Sequence, residues 1–166
     1  MKSLMLTFAA ALVAFSPVSE CSADEKARQA LEKRFAETLS GATLVGYHTD
    51  SNKPAGKLTE ERYTISSVSK VKDDHWLFKA RIKYGKHDMT VPMTLQVKWA
   101  GDTPVITLTD LSIPFFGKFS ARVLIYDGAY AGTWSGATHG GQLFGKVVKD
   151  DEKKAPETSE AESSAP

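Results

Sequence analysis

The chain has 166 residues, a net charge of +1 and a single cysteine, Cys21. That length allows one domain with a real core, and one thiol excludes any intramolecular disulfide. No phosphate-cradling glycine loop, no G-x-S-x-G, no H-E-x-x-H and no cofactor motif is present, so neither a cofactor nor a metal is expected.

The first 23 residues read as a secretory signal peptide. Lys2 precedes an apolar run from Leu4 to Phe15, Pro17 ends the run, and Cys21-Ser22-Ala23 sets small residues before a cut after Ala23. The run is too short for a membrane-spanning helix. Glu20 precedes Cys21 where a lipoprotein would carry a small residue, so lipidation of Cys21 departs from that pattern. The expected destination is export, to a periplasm or the outside.

Residues 24–40 read as one amphipathic helix. Ala27, Leu31, Phe35 and Leu39 recur every four residues, with Arg28, Glu32, Lys33 and Glu37 on the other faces and Gly41 at the stop. So narrow a stripe needs a surface to dock on.

After Gly41 the period becomes two, and residues 41–149 read as an all-β domain of eight strands. The clearest is Met89 to Trp99, in which Met89, Val91, Met93, Leu95, Val97 and Trp99 share a face. Trp76, Phe78, Ala80, Ile82 and Tyr84 share another, opposite Lys79, Arg81 and Lys83. Phe119 to Ile125 alternates likewise, and further strands fall near Thr43–His48, Arg62–Val68, Val105–Leu111, Ala129–Ser135 and Gln142–Val148. Asp127-Gly128 is a two-residue hairpin signal. Gly85-Lys86, Gly101-Asp102, Gly140-Gly141 and Lys72-Asp73-Asp74 mark other turns. All connections are too short for parallel crossovers, which points to an antiparallel up-and-down barrel with its apolar face inside. An outer-membrane barrel would force Lys79, Arg81 and Lys83 into a narrow lumen. Pro92 should leave a bulge or a gap in pairing.

Residues 150–166 carry six acidic and two basic residues with no Val, Ile, Leu or aromatic residue, the composition of a disordered acidic tail. Residues 24–149 carry 18 basic against 13 acidic, spread singly along strands, so nucleic-acid binding is not expected.

In a meander, alternate turns share an end. The longer loops 49–58, 85–88, 112–117 and 135–141 form the expected mouth, and the tight turns the base, which the helix would close. His48, His87 and His139 fall at the mouth, as do Asp88, Asp110 and the Pro114-Phe115-Phe116-Gly117 loop. An inward Asp110 would need a partner. The ligand-binding candidates are Trp76, Phe78, Tyr84, Trp99, Asp110, Phe115, Phe116 and Trp134. So many large inward residues could fill an eight-stranded barrel, although Gly46, Ala80 and Ala121 leave room.

Tyr130-Ala131-Gly132-Thr133-Trp134, followed by His139-Gly140-Gly141-Gln142-Leu143-Phe144-Gly145, resembles segments of the calycin group of lipocalin-like and avidin-like barrels. Only Gly132-x-Trp134 matches as a motif, on the seventh strand where lipocalins carry it on the first. The chain is also similar to small exported bacterial proteins. The resemblance implies a small apolar or amphipathic ligand held in the barrel. The alternative is a filled barrel acting as a structural or interaction module through an apolar patch near Phe115 and Phe116. An enzyme at the mouth would pair His87 or His139 with Asp88 or Asp110. Oligomeric state is not legible.

Overall fold

Alternating side chains make a sheet that can bury one face only by packing it on something. In this protein the sheet closes on itself. The computed structural model describes residues 20–84, 87–113 and 117–149, with side chains over 23–81, 89–113 and 117–149. The expected apolar signal run, the acidic tail, Phe115 and Phe116 therefore lie outside what is described, as do the side chains of Cys21, Tyr84, His87 and Asp88.

A helix, α1 (Glu20–Leu39), precedes β1 (Ala42–His48), β2 (Thr59–Lys72), β3 (His75–Tyr84), β4 (His87–Ala100), β5 (Thr103–Ile113), β6 (Gly117–Tyr126), β7 (Ala129–Ser135) and β8 (Gly140–Lys149). The strands pair in sequence order, all antiparallel, and β8 returns to β1 to close the barrel. The eight-stranded up-and-down barrel read from the alternation is the observed fold. Asp127 (φ 46°) and Gly128 (φ 69°) both take the left-handed conformation that a two-residue hairpin demands.

The inward set includes Leu44, Ile65, Phe78, Ala80, Leu95, Val97, Ile106, Val123 and Leu143, all buried. The helix closes the base. Phe35, 4% exposed, meets Trp76, Phe78 and Trp99 edge-on, with ring centroids 5.1, 6.2 and 5.9 Å apart. Leu39 is fully buried. Gly41 (φ 67°) turns the chain into β1, and its N–H donates to Ile65 O at 2.9 Å. Lys149 Nζ donates to the free carbonyls of Glu37 and Ser40, which neutralises the negative end of the helix.

Glu32 departs from the sequence expectation. It stands at the barrel flank rather than in solvent, with both carboxylate oxygens 2.7 Å from Lys70 Nζ of β2 and Oε1 3.1 Å from Arg28 Nε. The helix tilts onto β2, so one charged position is enclosed and needs paired cations.

The gap expected near Pro92 falls on one side of its strand. The β3–β4 ladder runs unbroken through Lys79↔Pro92. Among the described residues, β4 pairs with β5 only over Gln96–Ala100. Toward the mouth the two strands diverge, and β5 bulges between Leu108 and Leu111.

Candidate functional site: the barrel lumen

Where the large residues sit decides whether the barrel is hollow. Trp76 and Trp99 crowd the base around Phe35, and Arg28 stacks over Trp99 at 4.6 Å. Higher up, the inward positions carry small residues: Gly46 and Gly145 on β1 and β8, Gly132 on β7, Ala80 and Ala121 on β3 and β6. A cavity of about 1740 Å³ results. The figure includes the open mouth and a shallow groove outside β1, since the outward Val45, Tyr47 and Phe144 also border it. The floor and walls are apolar, built from Phe78, Met93, Leu95, Ile106, Val123 and Leu143.

One wall is polar. By register, Tyr130 of β7, Gly145 of β8, Gly46 of β1 and Glu61 of β2 form one straight cross-strand row. At about 4.8 Å per strand the row spans roughly 14 Å, which a tyrosine and a glutamate cover from its two ends only if nothing stands between them. The two glycines leave that slot empty. A Cβ at Gly46 would lie 2.6 Å from the Tyr130 hydroxyl oxygen, and one at Gly145 2.7 Å from its ring.

Tyr130 therefore lies flat along the wall, 1% exposed, and its hydroxyl donates to Glu61 Oε1 at 2.9 Å. The Tyr63 hydroxyl donates to Oε2 at 3.1 Å, and His48 Nδ1 lies 3.1 Å from the same oxygen. The Glu61 side chain is 4% exposed and that of His48 23%. Burial pushes both phenols above the ordinary tyrosine value, and Glu61 adds to the shift by its charge and its hydrogen bonds. Tyr63 and Tyr130 are thus neutral donors at physiological pH.

At the mouth, Trp134 stands edge-on between two histidines, with centroids 5.7 Å from His48 and 5.1 Å from His139. Its Nε1 donates to Thr49 O at 3.1 Å. The segment after β1 is tied to β8 through Thr49 N–H to Gln142 O at 2.9 Å and Ser51 N–H to Gly140 O at 2.8 Å. This side of the rim is fixed.

No protein-family model, curated protein or solved structure matches this chain. The architecture is compatible with a calycin-like barrel, and the fold alone carries that likeness.

Of the residues singled out from sequence, Phe78, Trp134, His48 and His139 border the lumen. Trp76 and Trp99 share the inward face and pack under the plug, because the helix enters at their level. Asp110 is also corrected. It is exposed, in the β5 bulge at φ 48°, with its N–H donating to Ser120 Oγ at 3.0 Å. The extra residue of the bulge turns it outward, so it needs no buried partner. Among the described residues, no group of three or more His, Cys, Asp or Glu could hold a metal ion. Sequence reasoning missed Glu61, Tyr63 and Tyr130. The one available signal was glycine inside two strands, which marks a close approach of another group.

Proposed function

We propose that this chain is an exported binding protein that holds a small, largely apolar molecule in the barrel lumen. The observation that carries the reading is an apolar-lined space above a plugged base among the described residues. Cavities of several hundred Å³ with a few convergent polar groups are the usual form of a small-molecule site. The polar row on β7–β8–β1–β2 supplies those groups. A buried carboxylate is costly to fold around, and its placement beside a cavity suits ligand orientation.

The test is a titration of the folded protein with Nile red, a neutral apolar dye. The expected result is a saturable blue-shifted emission with one site per chain, lost in Ala121→Trp while circular dichroism is unchanged. Ala121 borders the lumen, and a tryptophan there projects its ring across the space the dye would occupy. Absence of binding, or undiminished binding by Ala121→Trp, overturns the reading.

A second reading, an interaction module, rests on the outer wall. Tyr47, Phe144, Ala131 and Leu124 form one outward cross-strand row over β1, β8, β7 and β6. Tyr47, Phe144 and Leu124 are each more than 40% exposed. Sedimentation of Phe144→Glu beside the parent protein tests it: a parent oligomer reduced to monomer supports the surface role, and a monomeric parent counts against self-association.

A further inference from the structure

The polar wall has a direction that selects among apolar molecules. Count the hydrogens. The Tyr130 and Tyr63 hydroxyls both donate to Glu61. His48 faces the same carboxylate through Nδ1 at 3.1 Å, and a hydrogen on that nitrogen makes it a third donor to Glu61. Both phenol hydrogens are spent on Glu61. What the phenols leave for the lumen is lone pairs: those of the Tyr63 oxygen and the remaining acceptor site on Glu61. Tyr63, 37% exposed, presents its accessible surface to the lumen, since it shares the inward face with Leu44.

The charge points the same way. Among the described residues, His48 is the only ion-pair partner of Glu61. The other inward groups near it, Tyr63, Tyr130, Trp134 and Thr59, are neutral. Lys53 borders the mouth with Nζ on Thr59 Oγ1 at 2.8 Å. The wall thus sets a carboxylate and phenol lone pairs beside an apolar cavity.

We propose that the lumen takes an apolar amine, with its ammonium group donating to the Glu61–Tyr63–His48 wall and its hydrocarbon body on the Phe78–Leu95–Val123–Leu143 side. The assignment rests on the lumen-binding reading above and names its ligand class. An ammonium supplies hydrogens and places a positive charge opposite Glu61. A carboxylate supplies neither and is repelled by Glu61. An alcohol can donate one hydrogen but leaves the charge unmet. A charge-assisted hydrogen bond is the stronger kind, and its gain over the neutral one corresponds to about tenfold in affinity.

The experiment is competition against Nile red at neutral pH by three ligands with the same chain: dodecylamine, dodecanol and dodecanoate. The expected result is displacement by the amine at about one-tenth the alcohol concentration, with dodecanoate weakest. In Glu61→Gln, dye binding persists and the amine and alcohol converge. In Tyr63→Phe, which keeps the charge, the amine advantage falls only in part, so the assignment stays testable should Glu61→Gln fail to fold. Equal displacement, a preference for dodecanoate, or an amine advantage undiminished in Glu61→Gln overturns the assignment while leaving lumen binding intact. Failure of Nile red to bind the parent protein overturns lumen binding, and the amine assignment with it.

Discussion

Replacing Phe35 by alanine should unseat the helix from the barrel. The ring is 4% exposed and touches three aromatic neighbours edge-on, at 5.1, 6.2 and 5.9 Å. Truncation of a buried phenylalanine costs about 3–5 kcal/mol in lost transfer energy and residual cavity. The upper half applies here, because Trp76 and Trp99 are too rigid to collapse into the space and because edge-on aromatic pairs add about 0.5–1.5 kcal/mol beyond area. For a domain of this size the melting temperature should fall by roughly 10–20 °C. Urea unfolding followed by tryptophan fluorescence and circular dichroism measures the change, since Trp76 and Trp99 report on the base itself. A loss below about 1 kcal/mol, typical of an exposed substitution, would refute the view that α1 plugs the barrel. So would an unchanged tryptophan spectrum.

Three further outcomes follow from the geometry. Gly145→Ala should destabilise the barrel by about 1–3 kcal/mol or more, because the added Cβ would sit 2.2 Å from Val45 O and 2.7 Å from the Tyr130 ring; an unchanged urea midpoint contradicts the slot. Tyr63 and Tyr130 should stay protonated where free tyrosines ionise. Their folded values lie above the unfolded one of about 10, so the stability they contribute is complete below that pH and is lost as pH climbs toward the raised values. Ultraviolet difference titration should show two late phenols, moved partway back by Glu61→Gln, with burial, the larger cause, keeping the remainder. Asp74 is held below the usual carboxylate value chiefly by its hydrogen bond from Lys98. Its contribution is therefore present above the ordinary carboxylate range and lost as pH falls through the lowered value; carboxyl NMR should place its midpoint low, and Lys98→Ala should raise it.

The strands were legible because Met89–Trp99 and Trp76–Tyr84 alternate cleanly and because Asp127-Gly128 suits one hairpin type. Neighbour pairing then followed from short connections. Depth along the barrel was not legible. Trp76 and Trp134 share the inward face, and only the packing of α1 decides that one is plug and the other mouth. Glu61 was invisible for a related reason. In Thr59-Glu60-Glu61-Arg62-Tyr63 the polar residues fall on both faces, so nothing local marks Glu61 as inward. Its partner Tyr130 lies 69 positions away in the chain, joined to it through a register that runs over four strands. Asp110 misled because a bulge shifts the face of every residue beyond it without a sequence mark.

Methyl NMR during titration with dodecylamine separates the inner surface from the outer one. Shifts concentrated at Leu95, Ile106, Val123 and Leu143, with Leu124 and Val71 unmoved, are the result expected for a ligand inside the barrel. Shifts confined to Leu124 and the outer wall would contradict a hollow, ligand-bearing lumen.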